Sequence, residues 1–430
     1  MDARKIYNPN KTVLAAARER IAWAFDQFEK LYISFSGGKD STVMLHLVMD
    51  EAKRRGRTVG VLIIDMEAQY RATVEHIQNC VDLYRDHIDL HWVCLPMNLR
   101  NAVTNYEPQW TCWDDDCPEL WVRPKPADAV IDYEWFVPGM EFEEFIVLWG
   151  KWYAGDQMTG AFVGIRADES LKRLASIVRW NSKPMRDGKR WTTGLTDNLY
   201  NIYPIYDWAT EDIWRFHGRQ PELPSNRVYD LMFKAGVPLS KQRLCQPFGD
   251  DQRQGLWLYH ILEPDTWFKL IARVNGANTG ALYVQESGNI AGYRTVTLPE
   301  GHTWKSFTNL LLASLPKTTR DHYIDRFRRF IKGWQGRGYT TMPDEAPAVL
   351  EAKQWAPSWR RMAKALLRND YWCHSLGQAQ PKSDAYQAYK EIKFARKQRE
   401  AAARAELESH KADKAIIVTQ NLFEITEAMA

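Results

Sequence analysis

Apolar positions in the first half of the chain alternate between two periods. Residues 11–29 place Leu14, Ala17, Ile21, Phe25 and Phe28 on one face, the spacing of an amphipathic helix. Leu31–Phe35 is then a short, continuous apolar run, which reads as a buried parallel strand. From Ser41 the helical period returns, with Val43, Met44, Leu47 and Val48 inward. The polar tract "KRRGR" precedes a second apolar run, Val59–Ile64, which ends at Asp65. A helix around 71–85 leads to a third strand, Ile88–Leu95. A fourth is expected at Ala161–Ile165 and a fifth around "NIYPIYDW". Strands alternating with helices predict a doubly wound parallel α/β sheet of about five strands. Ligands of such sheets bind beyond the carboxyl ends of the strands, where Ser36–Ser41, Asp65 and Arg166 fall.

Between the third and fourth strands, residues 101–155 hold Trp110, Trp113, Trp121, Trp135, Trp149 and Trp152, an insertion that reads as a lid, a substrate wall or a packed appendage. Beyond about residue 235 the alternation fades into a mainly helical extension. The expected division is an α/β domain at 1–235, a second domain at 236–380 and a charged helical tail at 381–430. In "RFRRFIKGWQGRGY" (326–339), basic and aromatic residues interleave, which suits nucleic acid. An amphipathic helix, with Phe327, Phe330 and Ile331 inward and Arg326, Arg329 and Lys332 solvated, explains the same pattern more simply.

Composition narrows the class. The chain of 430 residues is 45% hydrophobic and 26% charged, the balance of a globular protein. Its net charge of +3 is too small to argue for nucleic acid by itself. No stretch approaches the roughly 20 apolar residues of a membrane span, and "MDARKIYNPNK" carries no apolar signal core, so a cytoplasmic protein is expected. The six scattered cysteines do not form a disulfide framework.

The chemistry concentrates in Ser36-Gly37-Gly38-Lys39-Asp40-Ser41, between the first strand and its helix. Two glycines allow a sharp turn and a close backbone approach, with Gly38 expected to lie against the ligand. The N–H groups of a helix's first turn and its dipole make an anion site. A Walker A loop is excluded because Lys39 is followed by Asp40 and the fifth residue before Gly38 is Ile33; the dinucleotide fingerprint is absent too. An ordinary βα turn that happens to carry glycines is the plain alternative.

The six residues resemble the pyrophosphate loop of the PP-loop ATP pyrophosphatase superfamily. "GIRADESLKR" (164–173) and "YPIYDWATEDIWRF" (203–216) resemble segments of its phosphoadenosine phosphosulfate reductase branch, which includes the small subunit of ATP sulfurylase. "LCQPFGDDQRQGL", "ARVNGANTGALY" and "PSWRRMAKALLRNDYWCHSLGQAQPK" resemble the C-terminal half of its YbdN/IbrA-like group. The resemblance implies an adenine nucleotide α-hydrolase-like fold, ATP and Mg²⁺ as cofactors, and cleavage between the α and β phosphates that adenylylates an unidentified substrate. It implies nucleotide contacts at Ser36, Gly37, Gly38, Lys39, Asp40, Ser41, Asp65 and Gly164. Lys39, Asp40, Arg166 and Arg173 are the implied catalytic groups, with Asp40 on the metal directly or through water. Arg173 pairing with Asp168 or Glu169 on its own helix is the structural alternative. The resemblance also implies a ParB-like protein partner. Two other functions stay open: a sulfonucleotide reductase or sulfotransferase, and an ATP-sensing regulator.

Two departures matter. Relatives carry Thr-Gly after the second strand, whereas Asp65 is followed by "MEAQY". The Glu-Cys-Gly segment of the reductases does not occur in the 430 residues. Cys112-x₄-Cys117 and the group His76, Cys80, His87, His91 and Cys94 match no metal spacing and read as packing residues. Cys245, before an expected turn, is the thiol of interest.

Overall fold

Within the computed structural model, residues 11–169, 173, 174, 177, 184–249, 255–277 and 296–402 are described. The strands are β1 (Lys30–Ser34), β2 (Val59–Ile64), β3 (Ile88–Val93), β4 (Asn98–Arg100), β5 (Gln109–Thr111), β6 (Ala129–Val130), β7 (Thr159–Val163), β8 (Thr192–Gly194) and β9 (Leu199–Ile202). Seven of them form one sheet in the order β6-β3-β2-β1-β7-β9-β8, parallel except for β8, which runs antiparallel to β9 at one edge. β4 and β5 make a separate antiparallel pair. The five apolar runs become β1, β2, β3, β7 and β9. The two unexpected members, β6 and β8, are only two and three residues long, too short to show a period.

Helices α1 (Val13–Gln27), α2 (Lys39–Arg55), α3 (Arg71–Tyr84), α4 (Phe142–Ala154), α5 (Thr210–Arg219) and α6 (Val228–Lys234) surround the sheet. The apolar stripe of α2 and the middle of β1 share one core, in which Ile33, Val43, Met44 and Val48 are all 0% exposed. Helix α1 is pinned by a buried pair, with Arg20 donating to both Asp207 carboxylate oxygens at 2.8 and 2.7 Å. The tryptophan-rich insertion supplies β5, β6 and α4, and much of it is core: Trp149 stacks on Tyr153 with ring centroids 4.8 Å apart and meets Tyr32 of β1 edge-on.

The helical extension comprises α7 (Trp257–Leu262), α8 (Pro264–Arg273), α9 (Trp304–Ser314), α10 (Lys317–Gln335), α11 (Ala348–Ala352) and α12 (Trp359–Leu367). α7 and α8 join the core of the sheet, while α10 and α12 build a second cluster around Tyr323, Phe327, Phe330, Trp334 and Met362. Phe327, Phe330 and Trp334 of the basic-aromatic stretch are therefore core, which removes those three rings from base stacking, while Tyr339 is exposed. Arg326 departs from the expected solvated face: it is 4% exposed and donates to the Ala379 carbonyl at 3.3 Å. Residues 384–402 are helical and mostly exposed, and the expected tail beyond 402 lies outside the described residues, as does most of "RADESLKR" after Glu169. No helix among the described residues is long and apolar enough to cross a membrane.

Two buried histidines tie α2 to its surroundings. His46 lies 2.8 Å from the Tyr84 hydroxyl and donates Nε2–H to the Pro224 carbonyl at 2.9 Å, while His76 Nε2 meets Thr42 Oγ1 at 2.8 Å. Burial pulls both pKa values down, His46 to about 4 and His76 to about 3. The native state thus keeps them neutral, and below the ordinary histidine value the unfolded chain binds more protons. Their stabilisation is complete above about pH 6.5 and is lost as the pH falls toward 4. Urea unfolding midpoints should drop steadily from pH 6.5 to 4.5, and His46→Gln should flatten that slope; equal slopes in the two proteins would contradict the assignment.

Candidate functional site

The sequence order turns over between β1 and β7, so their carboxyl ends flank the switch point of the sheet. Ser36–Gly38 leaves β1 there and feeds α2, whose N-cap is Gly38. Gly37 has φ +70°, and a Cβ on it would stand 2.7 Å from Ile77 Cγ1 and 3.1 Å from Thr73 Cγ2. Both the backbone and the neighbours therefore demand glycine at 37. Gly38 differs: its φ of −74° suits any residue. A Cβ there would meet only hydroxyls, with Ser36 Oγ and Tyr229 Oη at 3.4 Å and Ser41 Oγ at 3.9 Å. The Cβ side of Gly38 is thus a small hydroxyl-lined cradle at a helix N-terminus. Gly164, after β7, lies beneath it: its missing Cβ would be 3.2 Å from Ser41 N and Cα, so Gly164 lets the sheet end touch the helix's first turn.

The two loop serines touch each other, Ser36 Oγ to Ser41 Oγ at 3.0 Å, and Ser41 donates to the Gly38 carbonyl at 3.1 Å. In the first turn of α2 the Asp40 and Ser41 N–H groups have no intrahelical acceptor. The Lys39 N–H donates to the Tyr229 hydroxyl at 3.1 Å.

A brace that sequence reasoning missed comes from residues 217–242. Asn226 Nδ2 donates to the Gly37 carbonyl at 2.9 Å and to Thr73 Oγ1 at 3.1 Å. His217 Nε2 donates to the Lys39 carbonyl at 3.2 Å, and Lys39 Nζ donates to the Gln242 carbonyl at 3.1 Å. Nothing periodic marks Asn226 or Tyr229. Two hydrogen-bonding side chains three residues apart, "NRVY", were the available signal.

The charged candidates serve each other more than open space. Asp40 Oδ1 takes the Arg166 Nε–H at 2.5 Å, and its Oδ2 lies 3.2 Å from Lys39 Nζ. Arg166 is 2% exposed and spends its remaining donors on the Trp208 carbonyl at 3.3 Å and Thr210 Oγ1 at 3.4 Å. Arg173 is half exposed and pairs with Glu169 at 3.0 Å, the structural alternative for that residue. Burial, with Asp40 close by, holds the Glu169 carboxyl above its ordinary range. With each Asp40 oxygen claimed by a cation, the residues do not fit Asp40 as a direct Mg²⁺ ligand. Among the described residues no group of three His, Cys, Asp or Glu is arranged to hold a metal ion.

Asp65 is brought to the same edge but is locked. Trp92 Nε1 donates to Oδ2 at 2.9 Å, the Glu67 N–H donates to Oδ1 at 3.0 Å, and Arg123 pairs with the same oxygen. Glu67, fully buried with φ +64°, accepts from the backbone of Trp113 at 2.6 Å and of Val122 at 3.0 Å, and pairs with Arg273 at 3.0 Å. The "MEAQY" turn thus clamps the tryptophan-rich insertion and α8 onto the sheet. Of the six cysteines, Cys245 alone is exposed; Cys80, Cys94, Cys112 and Cys373 are buried and Cys117 is intermediate.

Asp40→Asn would keep the size of the side chain and strip the buried Arg166 of its closest counter-charge. Removing one partner of a buried pair costs about 3 kcal/mol; Asp168 and Glu169, within 4 Å of Arg166, soften that loss. Chemical denaturation should show a drop of roughly 2–3 kcal/mol, and an unchanged midpoint would contradict a structural role for Asp40.

Residues 30–235 match the model of the phosphoadenosine phosphosulfate reductase domain, and residues 236–354 match a domain of unknown function, DUF3440. The uncharacterized protein YbdN of Escherichia coli (strain K12) is 41% identical over 384 residues, 88% of this chain and 93% of that one. Among solved structures, a phosphoadenylyl-sulfate reductase from Candida auris in a phosphate complex is 14% identical, with a TM-score of 0.30 over 50% of this chain and 84% of that one. The U34-tRNA thiolase NcsA of Methanococcus maripaludis is 11% identical, with a TM-score of 0.29 over 67% and 85%. With 41% identity to YbdN over 88% of its length, the chain belongs to the YbdN group, and its residues 30–235 carry the phosphoadenosine phosphosulfate reductase domain.

Proposed function

We propose that this protein binds ATP at the Ser36–Ser41 loop and transfers its adenylyl group to an acceptor. A nucleophilic atom of the acceptor bonds to the α-phosphorus, the bridging P–O bond to the β-phosphate breaks, and pyrophosphate leaves with the bond's electron pair. Negative charge grows on the β-phosphate, so preorganised donors there lower the barrier. The Asp40 and Ser41 N–H groups, the Ser36 and Ser41 hydroxyls and the Lys39 ammonium are this chain's means of meeting that charge. Arg166 and Asp40 keep the first turn of α2 in place. The observation that carries the reading is the cradle at Gly38: three hydroxyls converging on its Cβ position, at a helix N-terminus and the switch point of a parallel sheet.

Cys245 favours a second reading at the same site, sulfur chemistry on a sulfonucleotide. The exposed thiol lies three residues beyond Gln242, whose carbonyl holds Lys39. Ligand ranking separates the two. A loop that holds a β,γ-pyrophosphate should give ATP with Mg²⁺ a larger rise in melting temperature than phosphoadenosine phosphosulfate at equal concentration, by mass-action linkage. The reverse order would favour the sulfonucleotide, and no shift with either at millimolar concentration would remove the nucleotide from the account.

A further inference from the structure

The Tyr229 hydroxyl is the one wall of the cradle that does not come from the loop. It reaches the site from α6, 190 residues beyond Lys39 in sequence, and Tyr229 is 3% exposed. Its oxygen accepts the Lys39 N–H at 3.1 Å, which leaves its own hydrogen for an acceptor on the Gly38 side. Burial holds the phenol far above its ordinary pKa, so it keeps that hydrogen at any working pH. The oxygen stands 3.4 Å from where a Gly38 Cβ would be, on the side shared with Ser36 and Ser41, and the Lys39 ammonium lies 5.3 Å from the ring centroid. Asn226, one turn earlier, fixes the approach by holding the Gly37 carbonyl at 2.9 Å.

We infer that Tyr229 is a phosphate-binding residue: it donates its phenolic hydrogen to an oxygen of the pyrophosphate moiety in the Gly38 cradle. The inference rests on the nucleotide reading of the loop and adds to it a ligand donor outside the Ser36–Ser41 segment. The hydroxyl passes on the polarity of the helix N-terminus, accepting from Lys39 N–H and donating to the anion. The ring meanwhile keeps water from the back of the loop.

The test is Tyr229→Phe, which removes one oxygen and keeps the ring, with binding of ATP, inorganic pyrophosphate and AMP measured by calorimetry. A hydrogen bond to a charged acceptor is worth roughly a 10- to 100-fold change in affinity, and that loss is expected for ATP and for pyrophosphate alone. AMP, which lacks the pyrophosphate, should change by less than about 2-fold, a contrast that a merely structural role of the hydroxyl would not produce. Equal or tighter pyrophosphate binding by the variant would overturn the inference, because the hydroxyl would then be idle or a competitor. If the wild type binds neither ATP nor pyrophosphate, the nucleotide reading and the inference fall together; if it binds them and the variant binds them as tightly, only the inference falls. A crystal structure of the wild type with pyrophosphate needs no variant. Tyr229 Oη should lie within about 3 Å of a phosphate oxygen, and a separation beyond about 4 Å would refute the contact.

Discussion

The buried pair between Asp40 and Arg166 joins the two halves of the sheet at the place where their order reverses. Asp40 belongs to the first turn of α2, after β1, and Arg166 follows β7, the next strand across the switch point. Gly164 lets those two ends touch, and the ion pair fixes how the helix's first turn is aimed. The loop serines, the Lys39 ammonium and the free N–H groups take their positions from that turn. A hydrated, mobile pair would contribute little. Sealed at 2% exposure of Arg166, it sets geometry, and its loss leaves a charge without water.

Around this point the protein has spent several familiar functional residue types on architecture. Asp65 reads as a ligand carboxylate in the sequence, and Glu67 lies two residues beyond it. In the fold they hold Trp92, Arg123, Trp113 and Arg273. Their work is to clamp the tryptophan-rich insertion and α8 over the carboxyl edge of β2. Glu263 makes a matching contact from the extension, accepting the Arg71 and Ala72 N–H groups at 2.8 and 3.1 Å at the start of α3. The helical extension is thus built into the walls of the site.

The sheet was legible because β1 and β2, parallel strands buried along most of their length, write themselves as continuous apolar runs, and β1, β2 and β3 appear within a residue or two of their expected limits. β6 and β8 were not legible: two or three residues carry no period, and their pairing comes from the edges that β3 and β9 offer. At the site, Ser36–Ser41 was legible as a contiguous motif. Gly37 and Gly38 look equivalent in sequence, and only backbone angles and neighbours divide them into a conformational glycine and an open one. Asn226, Tyr229, His217 and Gln242 were hidden because their role depends on long-range contact, with no spacing to announce it. Arg326, expected in solvent, is buried because residues 378 and 379 fold back to offer it oxygen acceptors.

The central claim is cleavage of ATP between its α and β phosphates in the cradle. The direct measurement is to give the protein ATP labelled at the γ-phosphate, with Mg²⁺ and a cell extract fractionated for acceptors, and to separate the products. The account predicts label in pyrophosphate, with AMP found free or attached to the acceptor. Label in orthophosphate, with ADP as the coproduct, would contradict it.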